Sequence, residues 1–403
     1  MTLDPDSFPR LKPGVKFFKY GAAHQNCIYV GFAHRGIELN SDLHSDLNSE
    51  IAPHLLQLLR LLDGSRTLGS IYRTIFEKSS APIEKQVTAP IDEILLALQE
   101  FGLLEFRISK LQDFREDGLA PVNLVNSTKR MRAEENLFSW HPAVSKEIAT
   151  ESLINNRRNF AIIIFGRNRL ALALFSILQA SGFSQIKILD RSISAAAAQV
   201  VQIAPEEVCG LTIRGSDVGL RKELVLADLA RNSKLFPEQN LAFPATPDFI
   251  ISTEPIPIET LQRWMSEEIP HLAIANLLEN TIEIGPIVIP GISPCLNCLK
   301  LWREEQFPHQ NEFELLAALE GSKTNELELP SAQVALLAGL IAIEVIEFCT
   351  SSFGGPAARS ELIGVTKTID LLKPFPGNSM PVNSMPENSY WQPHSSCGCQ
   401  RLI

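Results

Sequence analysis

Two pairs of cysteines stand about a hundred residues apart, and together they constrain this chain more than any other feature. Cys295 and Cys298 lie in GPIVIPGISPCLNCLKLW, and Cys397 and Cys399 in WQPHSSCGC. A two-residue gap lets two thiolates grip one tetrahedral ion, and a second close pair completes the four ligands of a closed structural zinc site. Zinc binding in small peptides is worth ~10–16 kcal/mol, more than closing a loop of that length costs. The ion would fasten the C-terminal segment to the body of the protein. Two disulfides or four unrelated thiols are the competing readings, and His394 is an alternative ligand.

The chain has 403 residues, 45% of them hydrophobic, enough to bury real cores in two or three domains. MTLDPDSFPRLKPG has no apolar signal region, and the apolar stretch Val334 to Ile343 is too short to span a bilayer. A cytoplasmic protein with reduced thiols is expected. The other cysteines, Cys27, Cys209 and Cys349, sit in apolar contexts that suit packed thiols. A net charge of −10 argues against nucleic acid or an anionic membrane as partner, because both reward a basic field.

Residues 1–107 open with the strand-like runs VKFFKYG, NCIYVGF and RGIEL. Helical spacing follows in Ile51 to Leu62, Thr67 to Phe76 and Ile91 to Phe101. Strands with three short helices form a winged-helix pattern. This region holds 11 Lys and Arg against 13 Asp and Glu, so it lacks the basic recognition helix of a DNA reader. The other use of such a fold is to accept an extended peptide as an added strand. Residues 108–158 are expected to be a linker with one helix.

Residues 159–403 begin with NFAIIIF, a β-branched run suited to a buried parallel strand. Gly166 opens a helix to about Ala180, and Ile186 to Leu189 forms the next strand, ending at Asp190. That is a Rossmann-like βαβ unit with an acid where a ribose contact is expected. The turn itself reads Gly166, Arg167, Asn168, Arg169, Leu170, Ala171. It lacks the later glycines that let backbone approach phosphate, so ATP is not an expected cofactor, although Arg167 and Arg169 at a helix N-terminus could meet an anion. Further strands are expected at Phe249 to Ser252 and His271 to Asn276, and Ser331 to Phe348 should form a packed helix or part of a dimer interface. Residues 374–393, with NSMP twice, read as an extended tail.

With these pieces placed, the chain resembles the ThiF-like, leader-peptide-binding (cyclodehydratase C-type) proteins of thiazole/oxazole-modified microcin biosynthesis. The resemblance rests on GPIVIPGISPCLNCLKLWRE, the closing WQPHSSCGC, and the RLLDGSRTLGSIY and EFGLLEF segments. It implies an α/β protein with a winged-helix-like peptide-recognition domain, then a Rossmann-like ThiF-type domain with a structural zinc site. It also implies a leader peptide paired with the strand around Asn26 to Phe32 and resting on the third helix, with Cys27, Tyr29, Gly31, Ile94 and Leu98 as contacts. A YcaO-type cyclodehydratase would be the partner that carries ATP, and a homodimer is compatible.

The segment DVGLRKELVLADLARN also resembles the adenylating enzymes ThiF and MoeB. By that likeness Lys222 matches their ATP-contacting lysine, and Asp190 their ribose-contacting acid, with Gly166 at the phosphate turn. The glycine loop is missing, SISAAAAQ replaces an arginine-bearing segment, and Thr253-Glu254-Pro255 stands in place of a catalytic Asp. The expectation is therefore a scaffold subunit, with an ATP-dependent adenylating enzyme as the alternative.

Overall fold

The structure is a computed structural model. It describes residues 3–20, 27–39, 54–76, 85–108, 131–144, 149–189, 202–233, 242–278, 280–307, 329–354, 360–372, 374 and 388–399. Asp190, the SISAAAAQ segment and the NSMP repeats lie outside these residues. The chain divides into two units, Met1–Asn155 and Asn156–Ile403.

In the first unit, strand β1 (Phe8–Leu11) is followed by β2 (Lys16–Tyr20), β3 (Cys27–Phe32) and β4 (Arg35–Leu39). The last three form an antiparallel sheet in the order β2-β3-β4. Helices α1 (Leu55–Leu61), α2 (Leu68–Phe76) and α3 (Lys85–Glu100) come next. Strand β5 (Leu104–Arg107) then returns to pair with β1. Apolar residues recur at helical spacing in α3, and Ile91, Leu95 and Leu98 are fully buried with Leu58, Leu68, Ile71 and Val30. Asp63 stops α1 by accepting the Ser65 N–H at 2.8 Å.

The other face of the β1–β5 pair is polar. Arg10 lies opposite Glu105 in the register, and their side chains meet at 3.3 Å. Arg107 reaches Glu151 at 2.9 Å and Glu135 at 3.6 Å. The Thr150 hydroxyl donates to Glu105 at 2.9 Å. Burial pushes the Glu135 carboxyl above its ordinary range, with Arg107 pulling the other way. This cluster ties helical residues 131–138 and the start of α4 (Thr150–Asn159) to the strands. Parts of the segment expected as a linker are therefore packed, with Met131, Phe138 and Leu153 buried.

The second unit is built on seven strands in the order β12-β11-β10-β9-β8-β6-β7. The parallel part comprises β6 (Ala161–Phe165), β7 (Gln185–Leu189), β8 (Phe249–Ser252) and β9 (His271–Leu278). The antiparallel extension is β10 (Thr281–Val288), β11 (Val365–Asp370) and β12 (Asn388–Tyr390). Ala161, Ile162 and Ile164 of β6 are fully buried, as a strand covered on both faces requires. The chain leaves β6 through α5 (Arg169–Ala180) to β7, then returns past β6 to β8. That reversal is a topological switch point, and ligands of open α/β sheets bind at the carboxyl ends of the strands there.

Helix α6 (Lys222–Ser233) precedes β8 and α7 (Ile258–Ser266) follows it, while α8 (Leu296–Gln306) follows β10. Helix α9 (Ser331–Gly354) packs on α5 and buries Leu337, Ile341, Val345 and Cys349. Its Phe348 ring packs tilted against Phe249, with centroids 4.7 Å apart. Residues 331–352 are long and apolar enough to cross a bilayer, a longer run than the stretch Val334 to Ile343 expected to be too short. This packing accounts for the buried half of that run, while Ile343 on it is exposed. At the base of β9, His271 is fully buried, with Nδ1 2.9 Å from the Ile269 carbonyl and Nε2 unpartnered. Burial pulls it down to about 4.

Candidate functional site

The four cysteines converge. Cys295 precedes α8 and Cys298 lies in its first turn, while Cys397 and Cys399 arrive from the segment after β12. Their sulfur atoms all lie within 4.8 Å of one another. Cys295 is 3.8 Å from Cys298 and 3.6 Å from Cys397, and Cys298 is 3.4 Å from Cys399. A tetrahedral ion with Zn–S of ~2.3 Å has sulfur edges of ~3.8 Å, so the cluster has the size of a zinc cage. No pair is joined as a disulfide.

Burial pushes the Cys295 thiol far up and the Cys399 thiol to about 11. For Cys397 burial also acts upward, but a hydrogen bond from Asn297 at 3.3 Å, with others from the Cys399 backbone and neighbouring thiols, brings it down to about 7. A cation that deprotonates all four thiols removes this conflict. These residues could hold zinc.

His394 does not take a thiolate's place. Its backbone N–H donates to Cys298 Sγ at 3.3 Å, its Nδ1 accepts the Ser396 N–H at 3.1 Å, and its Nε2 lies 2.9 Å from Glu305. Its ring sits edge-on to Trp302, whose Nε1 donates to the Gln392 carbonyl. The segment is further pinned where Trp391 donates from Nε1 to Thr366 and from its backbone to Gly364.

The second candidate is the turn at the switch point. Gly166 has φ +124°, and a Cβ there would fall 2.3 Å from Thr253 Oγ1, so the turn admits glycine alone. Asn168 caps α5 by accepting the Ala171 N–H at 2.9 Å and donates to the Thr253 carbonyl at 2.9 Å. The Arg167 N–H, at the place where such a turn offers amides to phosphate, donates instead to Glu254 Oε1 at 2.9 Å.

Lys222 opens α6 and is buried, with its ammonium on Glu207. The other oxygen of Glu207 accepts the Ala204 N–H at 2.9 Å. Arg169 reaches the carbonyl of Val208, next to Glu207, at 3.3 Å. Gly166 and Lys222 are thus both placed in this part of the fold, and Asp190 lies outside the described residues. Glu254 is legible in the sequence only as part of Thr253-Glu254-Pro255, where a catalytic Asp would stand, and Glu207 is not legible as a site residue. The only sequence cue to Glu207 was Pro205-Glu206-Glu207, a short acidic turn ahead of Lys222.

The proposed peptide contacts need correction. Strand β3 is the central strand, paired along its length with β2 on one side and β4 on the other, so it has no edge to offer. Hairpin closure at Ala33-His34 brings Gly31 opposite Gly36, where a Cβ on Gly31 would fall 2.4 Å from the Arg35 carbonyl oxygen. Tyr29 is half-buried and its hydroxyl donates to the Phe32 carbonyl at 2.5 Å, and Cys27 is half-buried at the strand start. Leu98 is fully buried in the core and Ile94 packs at its border. Among the described residues the free edges belong to β2 and β4. Arg35 of β4 donates to the Phe101 carbonyl at the end of α3 at 2.5 Å, which sets the β4 edge beside that helix.

No protein-family model matches the chain, and no curated protein matches it. Solved structures share its fold. E. coli MccB with MccA-N7isoASN has a TM-score of 0.54 at 14% identity, covering 97% of this chain and 99% of that one. E. coli MccB with ATP has a TM-score of 0.54 at 14% identity, covering 98% and 99%. The microcin C7 biosynthetic enzyme MccB in complex with N-formylated MccA has a TM-score of 0.52 at 14% identity, covering 97% and 99%. At this identity the likeness is one of fold.

Proposed function

We propose that this chain is a ThiF-like scaffold that binds a precursor peptide and presents it to a YcaO-type cyclodehydratase for azoline formation, without turning over ATP itself. The observation that carries the second half is internal occupancy of the switch-point turn. The amide of Arg167 already holds the Glu254 carboxylate, and Lys222 already holds Glu207. A triphosphate would have to displace two of the protein's own anions and lacks the glycines that let backbone close on it. Peptide binding is supported by the crystallisation of MccB with MccA and by the open β4 edge beside α3.

In this reading the winged-helix-like unit takes the leader peptide as a strand on β4, with Ile94 and Phe101 beside it. The register closing at Phe32 and Arg35 turns alternate β4 amides, those of Gly36 and Glu38, outward. Structural zinc holds the C-terminal segment, and the protein works in the cytoplasm, alone or as a homodimer. Glu38→Pro removes one outward donor that edge pairing needs and is expected to weaken leader-peptide binding by about tenfold, or ~1.4 kcal/mol, as read by titration calorimetry.

A second reading, an ATP-dependent adenylating enzyme acting on a peptide carboxylate, is favoured by the MccB complex with ATP and by an acid, Glu254, beside the turn. ATP–pyrophosphate exchange with purified protein and precursor peptide decides between them. The scaffold reading expects none, and sustained exchange would replace it with the second.

A further inference from the structure

Helix α9 buries one side and leaves the other uncovered. Val334, Leu337, Ile341, Val345 and Cys349 are fully buried on the side turned to the core. Ala332, Leu336, Gly339 and Ile343 recur at spacings of four, three and four residues, which sets them in one stripe on the opposite side. Each of them is exposed or half-buried, and Ile343 is 57% exposed. Leu340 and Glu347, both half-buried, border the stripe. A Cβ on Gly339 would meet no atom within 4 Å among the described residues, so the middle of the stripe is a hollow.

The spacing is that of a coiled-coil seam, and the charges at its two ends select what covers it. The helix carries Glu344 and Glu347 but no lysine or arginine. Its first turn holds no acidic residue, and Pro330, Ser331 and Ala332 there are exposed. The positive end of the helix dipole is therefore uncompensated from within the helix, while a carboxylate borders the same stripe about 22 Å farther along the axis. A second copy of α9 laid antiparallel answers both ends at once. A bilayer would have to take in Glu347 and offers it no counterpart.

We infer that the open stripe of α9 is an isologous interface, on which two copies of this chain pair antiparallel about a two-fold axis between Gly339 and Leu340. That axis sets Leu336 of one copy on Ile343 of the other and seats Leu340 over the hollow at Gly339. It also brings each Glu347 beside Ala332, at the N-terminus of the other helix. A parallel pair would set the two Glu347 carboxylates against each other. A helix pair of this length buries less than the ~800 Å² per partner of a standard interface, so the dimer is reversible. The inference deepens the homodimer named above and uses α9 alone, so it stands or falls apart from the scaffold reading.

Sedimentation of the full chain from micromolar to sub-millimolar concentration should show a monomer–dimer equilibrium. Ile343→Glu should hold the chain monomeric over that range, with its melting temperature at high dilution unmoved, because the site is exposed in the monomer. Glu347→Gln removes a carboxylate from both helix ends of the dimer and should weaken pairing about tenfold. Direction is read by cross-linking in a mild glutathione redox buffer, with the natural chain as baseline. Mixed Ala332→Cys and Glu347→Cys chains should join to each other, and Ala332→Cys alone should stay at baseline. A natural chain that is monomeric throughout, an Ile343→Glu chain that still pairs, or Ala332→Cys joined to its own copy would each overturn the interface. Flotation of the natural chain with phosphatidylcholine vesicles, abolished by Ile343→Glu, would overturn it in favour of a lipid surface.

Discussion

The thiol cluster and the switch-point turn are the two places where this chain gathers ligand-binding chemistry, and they differ in what is left unsatisfied. At the cluster, four sulfurs crowd within 4.8 Å with no disulfide between them. Burial alone would keep Cys295 and Cys399 protonated. At the turn, the amide and the lysine that could meet an anion are each matched by a carboxylate of the same chain. A binding site is recognised by groups that lack partners, and residue identity shows only which groups to ask about.

The largest effect should come from emptying the cluster. Cys298→Ser, or removal of metal with a strong chelator, is expected to destabilise the second unit by more than ~4 kcal/mol, because it frees the segment that carries Trp391 and His394. Metal analysis should find one zinc per chain before and none after. His394→Ala should keep that zinc, since both ring nitrogens already have other partners. A chain purified without zinc, and equally stable without it, would erase the contrast between the two regions.

His271 tests the same idea at a group only half matched. Its folded-state pKa of about 4 lies below the ordinary ~6.5, so the unfolded chain binds the extra proton first. The stability this provides is whole above pH ~6.5 and is lost as pH falls through about 4, with a ceiling of about 3 kcal/mol. Urea midpoints between pH 7 and pH 4 should fall more steeply for the natural chain than for His271→Leu. Parallel slopes would mean that the imidazole is charged or hydrated in place.

Much of this was legible in advance where covalent spacing or periodicity carries the signal. The cysteine pairs, the β-branched run before Gly166, and the apolar period of Ile91, Leu95 and Leu98 each specify local geometry without knowledge of the fold. The order of strands was not legible. Assigning the peptide to β3 required knowing which of three similar strands lies in the middle, and pairing order is set by long-range contacts that no local pattern encodes. The roles of the two carboxylates were not legible for the same reason. Glu254 stands 88 positions beyond Gly166, and Glu207 15 before Lys222, and only the doubled-back sheet brings the first pair together.

The smallest effects should separate a matched turn from an open one. Glu207→Gln leaves the Lys222 ammonium buried beside a neutral amide, and because Glu207 is itself partly exposed the loss should be ~2 kcal/mol, below the ~3–5 kcal/mol of a fully buried broken pair. Adding Lys222→Met should recover part of it, since the stranded charge goes with the lysine. Glu254→Gln keeps an acceptor for the Arg167 amide and should cost ~1 kcal/mol. Millimolar ATP with magnesium should leave the melting temperature of the natural chain unmoved, because a ligand stabilises only as far as it binds the native state. A rise in that temperature, enlarged by Glu254→Gln, would mean that the carboxylates guard a working pocket and do not replace its ligand.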